Sequence, residues 1–332
     1  MMISTLPEGF SVRPAVMDDA PAVFDMITAS DIALYGAPEP GYTLDDLLSD
    51  WQAPGHDMAT DNWVVISPEE RIVGAASLWY REDYVRFHTH PTVHPDYTGL
   101  SIGRVLFQIA EERARQLIAE VPSHTRITLN SGVDSIDQAG KHRLEREGYI
   151  LMRHNWRMEI EMQEAPPTPC WSEGIVIRPF VLDQDEVLVF NAVEEAFRDH
   201  WGHLPGNFSL WKHWMIERED FDPSLWFLAW DGNEIAGVSL CEYQTEDIGW
   251  VDDLAVRRPW RRQGLGIALL YHSFGEFYKR GTRRVGLGVD SQNLTGATRL
   301  YERVGMHATR QYDSYEKELR AGVELSTQSL NV

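Results

Sequence analysis

VDDLAV at residues 251–256, followed by RRPWRRQGLGIALL at residues 257–270, is the stretch of sequence that decides the fold. The first part is typical of a strand, and the second of a basic, glycine-rich turn that opens a helix. Four arginines lie within six residues of this turn: Arg257, Arg258, Arg261 and Arg262. The whole chain of 332 residues has a formal net charge of −21, so a local cluster of positive charge predicts a small polyanionic ligand here.

The backbone of this turn is as informative as its side chains. The first amides of a helix have no acceptor within the helix and carry the positive end of its dipole, so phosphate oxygens can accept their protons. Gly264 and Gly266 lack a Cβ, which allows a tight turn and a close approach of phosphate to the backbone. The pattern predicts a pyrophosphate-binding turn. The plainer alternative is an ordinary strand-to-helix turn with a solvated basic face.

A second segment lies downstream of the turn. Residues 284–290 (RVGLGVD) are typical of a buried strand, and residues 291–306 (SQNLTGATRLYERVGM) of a loop and a helix. After the turn, Asn293 and Tyr301 follow in an order that closely resembles the GCN5-related N-acetyltransferases. Proteins of this family transfer acyl groups from acyl-coenzyme A to amines, and the resemblance covers about the last half of the chain.

The family resemblance implies a fold, a cofactor and an acceptor. The fold is α/β with a mixed sheet, and the cofactor is acetyl-coenzyme A (acetyl-CoA). The acceptor is a primary amine of a small molecule, and a cationic amine is one candidate because the chain is acidic. In this family the amine attacks the thioester directly, so no nucleophile from the enzyme is required.

The first half of the chain resembles the second. Residues 10–14 (FSVRP) match residues 175–179 (IVIRP), and residues 72–78 (IVGAASL) match residues 235–240 (IAGVSL). The spacing from the Arg-Pro arginine to the last motif glycine of the turn is 90 positions in the first copy and 88 in the second. This agreement indicates duplication, and hence two tandem acyl-CoA N-acyltransferase domains. The tandem organisation resembles mycothiol synthase-like acetyltransferases.

Proline marks the predicted boundary between the two copies. The segment between them has three prolines in four positions, which prevents a helix or a central strand. The end of the chain is polar and lacks periodicity. We therefore predict a degenerate N-terminal domain at residues 1–162, a linker at 163–174, a catalytic C-terminal domain at 175–320 and a flexible tail at 321–332.

The first copy departs from the family pattern where the chemistry is expected. The replacements are Thr98 for Arg261, Ser101 for Gly264, Asp137 for Asn293 and Glu145 for Tyr301. They remove a charge, a flexible backbone position and a phenol. The N-terminal copy is therefore expected to keep the fold without the reaction and to scaffold the active copy. The alternative is that it retains a cofactor or a regulatory ligand.

Three side chains of the second copy are the candidate catalytic residues. By resemblance, Tyr301 is the general acid that returns a proton to the departing thiolate, and a phenol with a pKa of roughly 10 suits this role. Because neighbouring strand residues point to opposite faces, only one of Asp252 and Asp253 is expected to face the acceptor. Asp252 is favoured as the base, with Asp253 as a positioning residue. Competing carboxylates on the preceding hairpin are Glu242, Glu246 and Asp247. The plainer alternatives are a packed aromatic and a solvated acidic strand edge.

The resemblance also implies a set of cofactor contacts. In this family the strand before the turn bulges and separates from its neighbour, so its freed backbone groups pair with the pantetheine arm and polarise the thioester carbonyl. Asn293 hydrogen-bonds this arm or a bound water, although a helix cap is the commoner use of such a residue. The full predicted set is Leu254, Ala255, Val256, Arg261, Arg262, Gln263, Gly264, Leu265, Gly266, Ile267 and Asn293.

The acceptor pocket is expected in the helices and loop early in the second copy. A turn-like stretch there combines acidic, aromatic and imidazole groups that could surround a cationic or ring-bearing amine. With one carboxylate from the hairpin, the predicted acceptor-binding residues are Asp199, His200, Trp201, His203 and Glu242. In the first copy, His88, His90 and His94 have no Cys or carboxylate partner at a recognised ligand spacing, so no metal is predicted.

Composition bounds the remaining functions. No apolar run approaches the roughly 20 residues that cross a bilayer, and no signal-like segment opens the chain, so we expect a cytoplasmic protein without a membrane partner. Strong acidity argues against nucleic acid as a partner, and no motif assigns an oligomeric state. Cys170 and Cys241 are too few for a disulfide framework. A small-molecule N-acetyltransferase and a non-catalytic acyl-CoA sensor remain; retention of Tyr301 favours the enzyme.

Overall fold

The computed structural model describes residues 5–81 and 83–329. The chain divides into two compact units, called the first and the second unit below. The first unit comprises residues 1–153 and 312–325, and the second comprises residues 154–311 and 326–332.

The first unit begins with helices and strands in the following order: β1 (Ser11–Pro14), α1 (Ala20–Tyr35), α2 (Leu44–Trp51), α3 (Met58–Asp61), β2 (Asn62–Ile66), β3 (Ile72–Tyr80), β4 (Arg86–Thr89), β5 (Thr92–Val93), α4 (Ile102–Leu117), β6 (Ile127–Asp134) and α5 (Gln138–Arg146). Strand β7 (Ile150–Glu161) begins in the first unit and continues in the second. Short 3-10 helices lie at Met17–Asp19, Pro95–Tyr97 and Ile118–Glu120.

The second unit continues with β8 (Ile175–Pro179), α6 (Glu186–Phe197), α7 (Phe208–Met215), β9 (Trp226–Asp231), β10 (Glu234–Thr245), β11 (Ile248–Val256), α8 (Leu265–Lys279), β12 (Arg284–Asp290) and α9 (Ala297–Arg303). Strand β13 (His307–Arg320) begins in the second unit and ends in the first. Further 3-10 helices lie at Pro223–Leu225 and Arg258–Trp260.

Each unit has a mixed sheet. In the first unit the strand order is β1-β2-β3-β4-β6-β13, and β4 runs parallel to β6 while the other neighbours are antiparallel. In the second unit the order is β8-β9-β10-β11-β12-β7, and β11 runs parallel to β12. The two orders correspond strand by strand. This is the repeated, mixed α/β architecture that the sequence predicts.

The last strand of each sheet comes from a part of the chain that the predicted domain boundaries placed in the other domain. Strand β7 follows the helices of the first unit in the chain, yet its residues 155–161 pair with β12. Strand β13 follows the helices of the second unit, yet its residues 312–320 pair with β6. Boundaries at residues 1–162 and 175–320 assigned each strand to the helices before it. Side-chain alternation predicts a strand but does not specify which sheet it joins.

The linker and the tail also contribute to the second unit. Segment 163–172 is irregular, and its Trp171 packs edge-on against His272 of α8. In the segment predicted to be a flexible tail, Ser326 is buried and Thr327 hydrogen-bonds to the loop after α6. The end of the described chain is therefore part of the packed structure of this unit.

Helices α8 and α6 fix the elements that surround the candidate site. Phe274 and Phe277 of α8 are fully buried against the sheet of the second unit, and burial of each contributes about 1.5–3 kcal/mol. Val189 of α6 belongs to a separate buried cluster with Val238 and Leu240 of β10. The strand that leads into the basic turn is thus held by two apolar clusters.

Candidate active site

A cleft of about 750 Å³ opens in the second unit where β11 and β12 separate. The two strands pair from Ile248 and Arg284 as far as Val251 and Leu287. Beyond that point no further pair joins the described residues of the two strands, although β11 continues to Val256. Apart from Val256 O, which accepts from Arg261 Nε, the backbone groups on this side of β11 are therefore available to a ligand. The structure contains the separation of strands that the family resemblance implies.

The N-terminal end of α8 forms one end of the cleft. Gly264 caps the helix with a φ of +81°, and Arg262 has a φ of +63°. A Cβ on Gly266 would lie 3.1 Å from Leu300 Cδ1, whereas the same position on Gly264 is open. Gly264 therefore serves the left-handed turn, and Gly266 serves the close approach of α9. Both glycines line the cleft, so the first turn of α8, whose amides have no acceptor within the helix, borders it.

Arg261 is held by the protein itself. Its Nε donates to Val256 O at 3.0 Å, and its Nη2 donates to Ala196 O at 2.8 Å. Its Nη1 donates to Asp199 Oδ2 at 2.6 Å. These bonds tie the turn to the end of β11 and to α6. Arg261 therefore shapes the turn, and its charge is not free to bind a polyanion as the sequence predicted.

The other arginines of the turn differ in how available they are. Arg257 and Arg258 form ion pairs with carboxylates. Arg262 is exposed, lines the cleft and forms no hydrogen bond or ion pair with another described residue. Of the predicted cationic cluster, Arg262 is thus the side chain best placed to contact an anion in the cleft.

Asp199 organises the turn instead of binding an acceptor. It is only 3% exposed, and its two carboxylate oxygens accept hydrogen bonds from Arg258 and Arg261. The hydrogen bond from Arg258, assisted by Arg261, lowers the pKa of Asp199 to about 2 against the opposing effect of burial. The predicted role in acceptor binding is corrected, because this carboxylate is already satisfied by two guanidinium groups.

The other predicted residues of the acceptor loop differ in their surroundings: His200 lines the cleft, whereas Trp201 contacts the tail. His200 lines the cleft, and burial together with nearby positive charge lowers its pKa to about 4, so it is neutral at pH 7. Trp201 Nε1 donates to Gln328 Oε1 at 3.0 Å. His203 Nε2 lies 3.7 Å from Glu194 Oε2. His200 is therefore the member of this set that remains a candidate acceptor contact.

Strand β11 contains a bulge at Asp252. Asp253 pairs with Leu240 and Val251 pairs with Cys241, so Asp252 is an extra residue on β11. An extra residue interrupts the alternation of side chains between the two faces. The prediction that only one of the two aspartates faces the acceptor rested on regular alternation, and the bulge removes that basis.

Both aspartates lie towards the layer formed by α6 and α7. Ala255 packs in the cluster of α6, and Asp253, two residues earlier, shares its face. Burial, with the negative charge of Glu194 on α6, raises the pKa of Asp253 to about 6. Asp252 hydrogen-bonds to Glu242. Glu242 lies towards the same layer, because it contacts Arg218, which follows α7.

Asp252 and Glu242 form a carboxyl pair in this layer. Arg218, which follows α7, donates to Glu242 at 2.7 Å. A hydrogen bond between two carboxyl groups requires one of them to carry a proton. Desolvation by the surrounding protein and then the charge of Asp252 raise the pKa of Glu242. Desolvation on the protein side and then the charge of Asp253 raise the pKa of Asp252, while its hydrogen bond with Glu242 opposes this rise. Asp252 also lines the cleft, where solvent reaches it.

Tyr301 is the buried phenol of the cleft. It is 8% exposed, and it lines the cleft from α9. Burial and then the negative charge of Asp253 raise the pKa of Tyr301 to about 12. The phenol is therefore protonated at neutral pH, as a proton donor must be.

Two predicted cofactor residues stabilise the local loops. Asn293 Oδ1 accepts from Thr295 N at 2.8 Å and from Ala297 N at 3.3 Å, while the residue also lines the cleft. The Nδ2 amino group of Asn293 is therefore the part of the side chain that is left to donate to a ligand. Gln263 Nε2 donates to Pro259 O at 3.0 Å, which closes the basic turn on itself.

Both units match the model of the Acetyltransferase (GNAT) family, at residues 24–132 and 188–306. The chain belongs to this family. It is a tandem GNAT protein and an acyltransferase, and the match to both units confirms the predicted tandem organisation.

Known relatives of this GNAT protein include proteins with the same organisation. A mycothiol acetyltransferase of Streptomyces scabiei is 28% identical over 261 residues, which cover 77% of this chain and 78% of the relative. The solved structure of a GCN5-related N-acetyltransferase from Sphaerobacter thermophilus has a TM-score of 0.80 and 36% identity, and the match covers 98% of this chain and 100% of that one. The solved structure of a tandem GNAT protein from the clavulanic acid biosynthesis pathway has a TM-score of 0.71 and 17% identity. The match covers 93% of this chain and 98% of that one, and the two proteins share the fold.

The first unit of the GNAT protein places a leucine where the second has Tyr301. Met306 N donates to Tyr301 O at 3.1 Å at the end of α9, and Tyr149 N donates to Leu144 O at 3.0 Å at the end of α5. The ends of these helices set the register between the copies. The counterpart of Tyr301 is therefore Leu144, and the predicted counterpart Glu145 was wrong by one position.

The part of the chain that the structure describes contains neither a candidate metal cluster nor a candidate membrane helix. There, no group of three or more His, Cys, Asp and Glu side chains is arranged to hold a metal ion. Among the described helices, none combines the length and the apolar character needed to cross a bilayer.

Proposed function

We propose that this GNAT protein transfers an acetyl group from acetyl-CoA to a primary amine of a small molecule, and that the second unit carries the reaction. The observation that supports this most is the meeting of three features in one cleft. These are the N-terminal end of α8, the unpaired side of β11 and the buried phenol of Tyr301. Together they offer an anion site, a peptide-like edge and a proton donor.

The donor groups of the cleft fit a phosphorylated thioester with an amide-bearing arm. The amides at the start of α8, with Arg262, would bind the pyrophosphate. The unpaired side of residues 254–256 would pair with the amides of the pantetheine arm. An amide of this strand would also polarise the thioester carbonyl in the transition state.

Asp252 would act as the general base. The acceptor amine is mostly protonated at neutral pH and must lose a proton before it attacks the carbonyl carbon. Asp252 lines the cleft, and its raised pKa brings it closer to neutrality than an ordinary aspartate. In the reaction the C–N bond forms and the C–S bond breaks, and Tyr301 gives its proton to the departing sulfur.

The charge of Asp253 suggests that a cationic acceptor fits best. A phenol with a pKa near 12 is a poor donor to a thiolate whose conjugate thiol has an ordinary pKa of about 8.5. A cation beside Asp253 would offset the negative charge that raises the pKa of Tyr301. The name of the relative, mycothiol acetyltransferase, supports a small-molecule acceptor.

Calorimetric titration with acetyl-CoA tests the cofactor site. We expect one site per chain in the wild type and no binding in Gly264→Asp, which places a carboxylate where the pyrophosphate would bind. No atom lies within 4 Å of the Gly264 Cβ position, but its φ of +81° strains any side chain there, so the melting temperature of the variant is measured beside its affinity. Ser101→Asp is the matched control, because Ser101 caps α4 as Gly264 caps α8.

The outcomes separate the candidate functions. Absence of binding in the wild type, or equal loss in both variants, would contradict the proposed site. Release of free thiol on addition of primary amines would support catalysis. Binding of acetyl-CoA without thiol release from any amine of a cationic and neutral panel would favour the acyl-CoA sensor instead.

A further inference from the structure

The tail segment (residues 326–328) is bonded to the loop that follows α6. Thr327 N donates to His203 O at 3.0 Å, and Thr327 O accepts from Gly202 N at 2.6 Å. Thr327 Oγ1 donates to Arg198 O at 3.0 Å. One residue of the tail segment therefore holds the loop at both of its ends.

Side chains reinforce this attachment. Gln328 Oε1 accepts from Trp201 Nε1 at 3.0 Å, while Gln328 Nε2 donates to Ser326 Oγ at 2.9 Å. Ser326 is 7% exposed. The loop between residues 198 and 203 contains no helix or strand in the described structure, so contacts of this kind determine its conformation.

The same loop carries Asp199. Its carboxylate pairs with Arg258 and with Arg261, at opposite ends of the 3-10 helix in the basic turn. The side chain is almost fully buried, so it cannot move far without exposing or unpairing charge. A change in the path of the loop is therefore transmitted to both arginines.

Arg261 completes the connection to the cleft. It also binds Val256 O at the end of β11 and Ala196 O at the end of α6. Hydrogen bonds from Thr327 to the backbone of the loop, the loop backbone that carries Asp199, and hydrogen bonds from Arg261 thus connect the tail segment to the strand that lines the cleft. Each step lies within the second unit.

We propose that the tail segment is a positioning element for the cofactor-binding turn. It fixes the loop at residues 198–203, the loop fixes Asp199, and Asp199 fixes the arginines that set the direction of the α8 amides. For acetyl-CoA affinity this inference rests on the function proposed above. The order of the turn itself does not depend on which ligand binds there.

The experiment compares two truncations and one substitution in the full chain. The test variant ends at Leu325 and lacks the tail segment, and the control variant ends at Ser329 and keeps it. Thr327→Pro retains the chain length but removes the amide that donates to His203 O. Affinity for acetyl-CoA is measured by calorimetry, and kcat and KM by thiol release.

Hydrogen exchange provides a readout that a general loss of stability would not reproduce. We expect faster exchange at residues 198–203 and 257–264 in the test variant and in Thr327→Pro, with β12 unchanged as the internal reference. We also expect the Kd for acetyl-CoA to rise about tenfold, an effect comparable to the loss of one or two hydrogen bonds. The value of kcat at saturating acetyl-CoA should remain that of the control.

The results distinguish this inference from the proposed function. If the wild type does not bind acetyl-CoA, the proposed cofactor site fails, and exchange at residues 257–264 still decides whether the tail segment orders the turn. If exchange at the turn is the same in the test and control variants, the positioning role is wrong. Faster exchange throughout β12 would assign the tail segment to overall stability and would also contradict the proposal.

Discussion

The turn before α4 and the turn before α8 share a backbone conformation. Gly99 and Ser101 have φ values of +82° and +63°, and Arg262 and Gly264 have values of +63° and +81°. Left-handed residues thus occupy the same two positions, although glycine stands first in one turn and second in the other. Replacement of the motif glycine by Ser101 has thus kept the left-handed conformation at this position of the first turn.

The side chains in front of the two turns differ. A Cβ on Gly103 would lie 3.0 Å from Arg143 Nη1, whereas a Cβ on Gly266 would lie 3.1 Å from Leu300 Cδ1. The first unit therefore places a guanidinium where the second places an apolar group. The comparison teaches that duplication kept the backbone of an anion site while the groups beside it changed, so that the fold alone does not assign the function.

The chain segments that lead into the two turns also differ, in both backbone pairing and side chains. The second unit has the bulge that carries Asp252 and Asp253. In the first unit the chain between β4 and β5 contains His90 and Pro91, and a proline cannot donate to a strand ladder. With Leu144 at the position of Tyr301, the described site of the first unit lacks the proposed base and the proposed acid.

The largest predicted effect comes from making the second unit resemble the first. Tyr301→Leu installs the residue of the first unit and should lower kcat by about 10²–10⁴-fold, the contribution expected of a general acid. Tyr301→Phe should do the same while it keeps the buried ring. Affinity for acetyl-CoA, measured by calorimetry, should stay close to that of the wild type. Leu144→Tyr is the control and should add no activity; retention of kcat in Tyr301→Phe would remove the acid role.

A smaller effect is expected at the bulge. Asp252→Asn should lower kcat/KM by about 10²–10³-fold at neutral pH, because a positioned base contributes on this order. In the wild type, activity should rise with pH as Asp252 loses its proton, at a pH above the ordinary range for aspartate because its pKa is raised. Glu242→Ala removes the hydrogen bond that lowers the pKa of Asp252, so this rise should move to higher pH while activity persists. An unchanged pH profile in both variants would assign the base elsewhere.

Local signals in the sequence were sufficient for much of this comparison. Glycine, arginine and the apolar strand pattern around residues 251–270 predict the turn and its helix, because they act through neighbouring residues. The repeated Arg-Pro strand predicts the duplication. The position of Tyr301 on a helix beside the cleft follows from the family resemblance, and the structure places its buried phenol there.

Features that depend on tertiary contacts could not be predicted in this way. The pairing of Asp199 with two arginines of the turn joins residues about 60 positions apart. The bulge at Asp252 depends on register with β10, and the sheet that β13 joins depends on partners distant in sequence. The counterpart of Tyr301 was misplaced by one position because helix ends, rather than residue likeness, set the register.

The link between Asp253 and Tyr301 predicts a spectroscopic effect without a counterpart in the first unit. Asp253→Asn removes the negative charge that, after burial, raises the pKa of the phenol. The pKa of Tyr301 should therefore fall below about 12. Ultraviolet titration of the phenolate, as a difference from Tyr301→Phe, measures this change. A pKa that stays the same would mean that burial alone accounts for the raised value.

The units are most alike at the strand end that the Arg-Pro repeat marks. Arg13 Nη1 donates to Asp19 at 2.6 Å, and Arg178 Nη1 donates to Asp185 at 2.6 Å. In each unit the aspartate also accepts a backbone amide, at 2.9 Å in the first and 2.8 Å in the second. The arginine hydrogen bond is the main cause that lowers the pKa of both aspartates.

The smallest predicted effect follows from this shared ion pair. Asp19→Asn and Asp185→Asn should each lower the free energy of unfolding by about 1–2 kcal/mol at pH 7, a modest value because solvent screens the partly exposed arginines. A lowered pKa in the folded state stabilises above the unfolded value of about 3.9, and this contribution is lost as pH falls through the folded value. Urea denaturation should therefore show a difference from wild type that shrinks below about pH 4. If the free energy of unfolding falls in only one of the two variants, the units have diverged in their framework as well as in their sites.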